Sequence, residues 1–239
     1  MKRALVTGGS GGIGAAIAQR LARDGLHVIV HANNHPEQAL ATVAAIVAEG
    51  GHAETTVFDV CNAAQSREEI ERLLEGGPVQ VLVNNAGVHD DTPLAGMRAE
   101  QWHRVVDVAL DGFYNVTQPL LLSMLGTRWG RIISMSSVAG VIGNRGQVNY
   151  AAAKAGLHGA TRSLAREIAS RGVTVNAVAP GIIASPMTAR LFTDAQIDAL
   201  VPMKRAGTAE EVASLVSFLA SDAAGYISGQ VISINGGMV

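Results

Sequence analysis

The chain has 239 residues, 48% of them hydrophobic and 16% charged, which supports a large buried core and excludes a disordered protein. Its formal net charge of -2 provides no basic surface, so we expect it to bind neither nucleic acid nor a membrane. The only cysteine, Cys61, excludes a disulfide framework and a cysteine metal site, so we predict a cytoplasmic protein without metal.

Apolar runs alternate with helical segments along the whole chain. We predict strands over 3–7, 27–32, 55–60, 79–87, 130–137, 173–181 and 230–237. We predict helices over 12–23, 37–49, 65–75, 99–125, 149–171 and 208–221. The strand runs are continuous rather than alternating, which is typical of strands covered on both faces. This pattern predicts a doubly wound parallel sheet, a Rossmann fold, in a single domain over residues 1–239.

A glycine-rich loop, TGGSGGIG (7–14), separates the first predicted strand from the first helix. It fits G-x-G-x-x-G through Gly9, Gly11 and Gly14, and T-G-x-x-x-G-x-G through Gly8, Gly12 and Gly14. Backbone amides and the helix dipole can bind a pyrophosphate at such a position. The position after a strand therefore favours a dinucleotide site over a simple tight turn.

The end of the second strand indicates which dinucleotide is bound. A carboxylate there would bind the ribose 2′-hydroxyl of NAD, but HANNH (31–35) contains none. The absence of that carboxylate favours NADP(H) over NAD(H), although no Arg or Lys follows either. His31 and His35 could donate to a phosphate or be ordinary surface histidines. Asp59 and Val60, after the third strand, could contact the adenine or lie on the surface.

A possible catalytic group lies in the middle of the chain. Tyr150 and Lys154 are four residues apart in an Ala-rich segment, so they share one helix face. A neighbouring cation favours phenolate and would lower the pKa of Tyr150. Ser137 follows the fifth predicted strand and offers a hydroxyl, so the three groups suit proton transfer to a carbonyl oxygen. NNAG (84–87) and APG (179–181) end two more strands, as binding segments or as ordinary turns.

These motifs together resemble the short-chain dehydrogenase/reductase family over nearly the full chain. GNRGQVNYAAAKAG and the closing AGYISGQVISINGGM are most similar to its 3-oxoacyl-[acyl-carrier-protein] reductases. The resemblance implies NADPH-dependent reduction of a 3-oxoacyl thioester. Ser137 would polarise the carbonyl, Tyr150 would donate the proton, and Lys154 would lower the Tyr150 pKa and bind the nicotinamide ribose.

The predicted cofactor site combines the family positions with the strand ends described above. It comprises Thr7, Gly8, Ser10, Gly12, Ile13, Gly14, Asn33, Asp59, Val60, Asn85, Ala86, Gly87, Tyr150, Lys154, Pro180, Gly181, Ile183 and Ser185.

The sequence departs from the family pattern at two positions. The long helix usually carries an Asn that completes the proton relay, but Ala109 stands there, and Asn115 should lie on a different helix face. Gly11 replaces an Arg that NADP-dependent reductases of this type often have.

Further implications of the resemblance concern partners. Arg128 and Arg171 match residues that dock an acidic acyl carrier protein, or they are ordinary surface arginines. Segment 186–201 resembles a mobile lid, or is a packing helix. A homo-oligomer, dimer or tetramer, is expected, with residues 99–125 and 149–171 at the interface.

Two alternatives to the 3-oxoacyl thioester reductase are open. One is a reductase of another ketone, sugar or polyketide, and the other is a weakly catalytic binding or scaffold subunit, which Ala109 would explain.

Overall fold

The computed structural model describes all residues, Met1–Val239, and its strands form one parallel sheet. The strands are β1 Arg3–Val6, β2 His27–Ala32, β3 His52–Val57, β4 Val79–Asn84, β5 Gly130–Met135, β6 Val173–Pro180 and β7 Val231–Ile234. Their order is β3-β2-β1-β4-β5-β6-β7, so the chain winds outward from β1, then returns to place β4 on its other side. The predicted doubly wound parallel sheet is confirmed.

Helices cover both faces of the sheet. They are α1 Gly12–Arg23, α2 Pro36–Ala48, α3 Ala63–Glu75, α4 Ala99–Val106, α5 Gly112–Gly126, α6 Ala139–Ile142, α7 Val148–Ile168, α8 Thr188–Leu191, α9 Asp194–Leu200 and α10 Ala209–Ala220. One apolar core joins the sheet to α1, α2 and α10, and a second joins it to α3, α5 and α7. In β1, Ala4 and Val6 belong to the first core and Leu5 to the second. Both faces are thus buried, which explains the continuous apolar runs. No helix combines the length and apolar character needed to cross a membrane.

The third strand lies earlier in the chain than predicted, at 52–57 instead of 55–60. Its polar sequence HAETTV pairs with β2 alone, at the edge of the sheet. Glu54 is bound there by Arg3, whose Nη2 lies 2.9 Å from the carboxylate. Phe58 and Val60 lie in the loop that follows β3, and their side chains are buried. The apolar signal therefore marked the loop rather than the strand.

The long helix predicted over 99–125 is present, but it is not a regular α-helix throughout. Helix α4 passes into a π-helical turn, Asp107–Asp111, before α5 begins at Gly112. A π-turn carries more residues per turn than the α-helix and shifts the faces of the residues after it. Apolar periodicity does not reveal so short an interruption.

The weakly periodic segment 182–206 contains two short helices, α8 and α9. Helix α9 begins with a capping box in which Thr193 and Gln196 bond each other's backbone. Met187 and Leu191 in this segment are exposed, and Met187 lines the cleft described below.

Candidate active site

The polar strand ends meet at the carboxyl ends of the strands, next to β1 and β4. After β1 the following strands are added on one side of the sheet, and after β4 they are added on the other side. This is the crevice in which open parallel sheets bind ligands. A cleft of about 460 Å³ lies there. Two larger cavities, of about 590 and 510 Å³, contain none of the three predicted catalytic residues. Most of the predicted site residues line the cleft: Gly8, Gly12, Ile13, Gly14, Asn85, Ala86, Gly87, Ser137, Tyr150, Pro180, Gly181, Ile183 and Ser185.

The glycine-rich loop forms one wall of the cleft and opens helix α1. Gly8 has φ of +60°, which favours glycine, and a Cβ on Gly14 would overlap the Gly8 carbonyl oxygen. No side chain caps the helix after Gly11, and its first turn contains no acid. The first amides of a helix have no intrahelical partner and attract anions. The loop therefore fits the pyrophosphate of a dinucleotide.

Thr7 and Asn85 connect the glycine-rich loop to the end of β4. The Thr7 hydroxyl oxygen accepts the backbone N–H groups of Asn85 and Ala86, both at 2.9 Å. The Asn85 amide donates to the carbonyls of Thr7 and Gly8 at 2.9 and 3.0 Å. Thr7 is buried and has no place in the cleft lining, so it fixes these segments rather than facing a ligand.

The three predicted catalytic residues come from β5 and α7. The Ser137 hydroxyl oxygen, just after β5, accepts the N–H of Ala139 at 3.1 Å. Lys154 is buried, and its Nζ donates to the carbonyl of Met135 at 2.7 Å. That Nζ lies 5.6 Å from the centroid of the Tyr150 ring. Helix α7 thus brings phenol and ammonium to the same side, as the spacing of four predicts.

The pKa values differ from the sequence-based expectation that Lys154 lowers the pKa of Tyr150. Burial raises the pKa of the Tyr150 phenol above its ordinary value of 10, and a hydrogen bond with Ser137 opposes that rise. Asp91 raises it further. Burial lowers the pKa of Lys154 to about 8, and its ammonium is directed to Met135. Desolvation is therefore the largest influence on the pKa of both residues in this structure.

Ala109, where the resemblance leads us to expect a relay Asn, lies in the π-turn. Ala109 is buried and packs in a small apolar cluster with Val105 and Ala153, which the Tyr150 ring also touches. Asn115 lies elsewhere, since its Nδ2 donates to the carbonyl of Val60 at 2.9 Å. The expectation that Asn115 does not substitute for a relay Asn agrees with this contact.

Comparison with known proteins identifies the family. The sequence model described as "Enoyl-(Acyl carrier protein) reductase" matches residues 8–239. The chain belongs to this family of short-chain dehydrogenases/reductases. It is 47% identical over 238 residues to a 3-oxoacyl-[acyl-carrier-protein] reductase of Synechocystis sp., covering 99% of this chain and 96% of the relative.

Two further relatives carry the same name with the suffix FabG. The protein of Staphylococcus epidermidis is 45% identical over 240 residues, covering 99% of this chain and 98% of the relative. The protein of Pseudomonas aeruginosa is 47% identical over 242 residues, covering 99% and 97%. This short-chain dehydrogenase/reductase is therefore an NAD(P)-dependent oxidoreductase.

Two polar residues that hold α7 in place were missed from the sequence. Asn149 is fully buried, and its Nδ2 donates to the carbonyls of Asp90 and Gln101, both at 3.0 Å. Its Oδ1 accepts the backbone N–H of Tyr150 at 2.8 Å. The Ser136 hydroxyl donates to the Lys154 carbonyl at 3.1 Å. Asn149 and Ser136 each stand next to a predicted catalytic residue in the sequence, and that adjacency was the available signal.

Several predicted cofactor residues lie outside the cleft lining. Ser10 and Asn33 are partly or fully exposed, and Asp59 bonds the backbone N–H of Cys61 at 2.9 Å. Val60 is buried and borders, with Thr7, a small cavity of about 10 Å³ next to the cleft. No group of three or more His, Cys, Asp or Glu side chains forms a metal site.

The predicted docking arginines are distant from the cleft. Arg128 and Arg171 are exposed and precede the starts of β5 and β6, whereas Ser137 follows the end of β5. A six-residue strand such as β5 spans roughly 20 Å. The two arginines therefore lie together at the opposite edge of the sheet.

Proposed function

We propose that this protein reduces 3-oxoacyl thioesters carried on acyl carrier protein to 3-hydroxyacyl thioesters, with NADPH as the reductant. The observation that carries the proposal is that Ser137 and Tyr150 of α7 line the same cleft as the glycine-rich loop. Relatives named for this activity match 99% of the chain, which supports the substrate class.

The residues divide the work of the reaction. Gly12, Ile13 and Gly14 would hold the pyrophosphate, and the segments 85–87 and 180–185 would hold the two riboses and the nicotinamide. The bound cofactor supplies the hydride. Ser137 polarises the keto oxygen by donating a hydrogen bond, and Tyr150 donates its proton to that oxygen.

The protonation state of Tyr150 fits this role. A phenol is protonated at neutral pH, and burial raises the pKa of Tyr150 further, so Tyr150 holds the proton that reduction requires. Lys154 would contribute in two ways. Its ammonium lies beside the Tyr150 ring, where it would stabilise the phenolate left after proton transfer, and it would bind the ribose next to the nicotinamide.

Replacing Tyr150 with Phe tests the mechanism, because it removes only the hydroxyl. We expect Tyr150→Phe to lower kcat/KM for NADPH and an acetoacetyl thioester by about 10²–10⁴-fold, the usual contribution of a general acid. Dinucleotide affinity should stay within twofold, measured by fluorescence titration. Near-wild-type turnover by the variant would refute this role of Tyr150.

The substrate class is tested separately with a panel at fixed NADPH. Carrier-linked and coenzyme A-linked 3-oxoacyl chains should be reduced with a higher kcat/KM than free ketones, sugars or enoyl thioesters. If free ketones match or exceed the thioesters, another ketone reductase is the better description.

The preference for NADPH follows from the end of β2. Asn33 is exposed there and no carboxylate is present to repel a 2′-phosphate. Gly11 offers no side chain to the phosphate, so we expect a modest preference, with a Kd for NADPH several-fold below that for NADH. A lower Kd for NADH would overturn it.

Carrier docking at Arg128 and Arg171 requires a second copy of the chain, since both arginines lie at the edge opposite their own cleft. We propose a cytoplasmic homo-oligomer, dimer or tetramer, in which the arginines of one subunit serve a neighbour. Leu122 and Tyr114 on α5 are exposed and available for such a contact. Light scattering tests the assembly.

Carrier docking is tested by a substitution. Arg128→Glu should raise KM for carrier-linked but not coenzyme A-linked substrate, and equal changes in both would exclude docking.

A further inference from the structure

His31 occupies a position that neither the sequence interpretation nor the proposed chemistry explains. It lies near the end of β2 and is only 1% exposed, so it is no surface histidine. Its Nδ1 lies 3.1 Å from the backbone nitrogen of Gly8, in the glycine-rich loop. Its Nε2 lies 2.8 Å from the carbonyl oxygen of Phe58, beyond β3. One imidazole therefore bridges two segments that are distant in sequence.

These partners determine the form of the ring. The backbone N–H of Gly8 can only donate, so Nδ1 must accept, and the carbonyl of Phe58 can only accept, so Nε2 must carry the proton. His31 is therefore a neutral imidazole of one tautomer. Burial supports this assignment, since it lowers the pKa of His31 to about 4.

The bridge fixes the orientation of the glycine-rich loop. The Gly8 amide is bound by the His31 ring, and the Gly9 amide donates to the His31 carbonyl at 2.9 Å. The Gly8 carbonyl accepts from the Asn85 side chain. The first amides of the loop are thus already hydrogen-bonded within the protein. The amides at the start of α1 have no side-chain cap and can bind an anion.

The other end of the bridge adjoins the segment that the sequence predicts to contact the adenine. Phe58 is followed directly by Asp59 and Val60, the residues expected to meet the adenine. The rings of His31 and Phe58 also pack at 4.2 Å between centroids. Backbone hydrogen bonds already join each segment to β2, from Gly9 to the His31 carbonyl and from Phe58 to the Ala32 carbonyl. The His31 ring is the side chain that joins the pyrophosphate loop and the adenine segment to each other.

We propose that His31 is a positioning residue that holds the pyrophosphate loop and the adenine segment at the spacing a dinucleotide requires, without touching it. The inference rests on the proposed cofactor site but not on the acyl substrate. It predicts that loss of the bridge weakens the adenosine half of the cofactor and spares the nicotinamide half.

Binding of cofactor halves to the full-length protein tests the inference. His31→Phe keeps a flat ring beside Phe58 but loses both hydrogen bonds. We expect it to weaken NADPH and 2′-phospho-ADP-ribose by a similar factor, about tenfold or more, and to change the affinity for reduced nicotinamide mononucleotide less than twofold. Isothermal titration calorimetry without acyl substrate measures all three.

Two other variants complete the design. His31→Asn is the second variant and serves if His31→Phe does not fold. Its side chain is polar but too short to reach both partners, so its affinity for 2′-phospho-ADP-ribose should also fall at least threefold. His52→Phe is the matched control, because His52 is exposed at the start of β3, away from the cleft, and its affinities should equal those of the wild type.

The outcomes separate the two proposals. Wild-type affinity of His31→Phe or His31→Asn for 2′-phospho-ADP-ribose would overturn the role of His31 and leave the cofactor site intact. Equal weakening of both cofactor halves would also overturn it, because it would indicate general loosening. A wild-type protein that bound neither NADPH nor NADH would instead refute the proposed function.

Discussion

The two long helical segments beside the cleft differ in regularity. Helix α7 runs unbroken for 21 residues, whereas the segment from α4 to α5 is interrupted by the π-turn at 107–111. Regular geometry in α7 places Tyr150 and Lys154 on one face, as the spacing predicts. In the interrupted segment, Ala109 packs beside Ala153 while Asn115 bonds Val60 beyond β3. Spacing in sequence is thus a reliable guide to a shared face only within an unbroken helix.

Close packing joins the two segments. A Cβ on Gly156 of α7 would lie 3.0 Å from the side chain of Leu110 in the π-turn, closer than ordinary contact. Asn149 also connects α7 to α4 by donating to the Gln101 carbonyl. The regular helix therefore supports the irregular one, and substitutions on either side can test this division.

The largest effect is expected from the regular helix. Lys154→Met keeps most of the side-chain volume but removes the ammonium, so kcat/KM with NADPH should fall by about 10²-fold or more, as expected for loss of a group that orients acid and cofactor. Lys2→Met, at the opposite edge of the sheet, is the control and should keep wild-type kinetics. A Lys154→Met enzyme with full activity would remove Lys154 from the mechanism.

Stability should depend on pH through the same residue. Because the folded pKa of Lys154 is depressed to about 8 from 10.5, folding disfavours the charged form, and this cost is fully present below pH 8. The cost is relieved as pH rises from 8 towards 10.5. The free energy of unfolding should therefore rise by roughly 1–3 kcal/mol more for wild type than for Lys154→Met between pH 7 and 10. Urea titrations measure it, and parallel curves for both proteins would contradict the assignment.

In the interrupted segment, Asn115→Ala should affect stability rather than catalysis. It removes the donor to the Val60 carbonyl inside the core, which costs about 1–3 kcal/mol of unfolding free energy. Gln118→Ala on the exposed side of α5 is the control and should change stability by less than about 0.5 kcal/mol. A large fall in kcat for Asn115→Ala with unchanged stability would show that Asn115 serves the relay.

The smallest effect is expected at Ala109. Ala109→Asn would supply the amide usual in this family, and we expect kcat to rise only a few-fold because Ser137, Tyr150 and Lys154 are all present without it. Ala109→Leu has similar bulk and no amide, so it separates hydrogen bonding from packing. An inactive wild type rescued by Ala109→Asn would favour the scaffold alternative.

The sequence was sufficient for the sheet, the glycine-rich loop and the shared face of Tyr150 and Lys154, since each depends on local periodicity or spacing. It was insufficient for β3, whose Glu54 is bound by Arg3 from β1, and for the π-turn, which apolar periodicity does not mark. Burial of His31 and the raised pKa of Tyr150 depend on contacts between distant segments. Desolvation of this kind has no signature in residue spacing.

The position of β1 has a consequence for synthesis. Its residues pair with β2 on one side and with β4 on the other, where Val6 meets Val83. At a translation rate of about 5–20 residues per second, the ribosome needs roughly 4–15 s to extend the chain from β1 to β4. During that time the future central strand is an apolar edge strand, open to pairing with other nascent chains. Pausing of the ribosome before residue 84 would lengthen this exposure and favour aggregation.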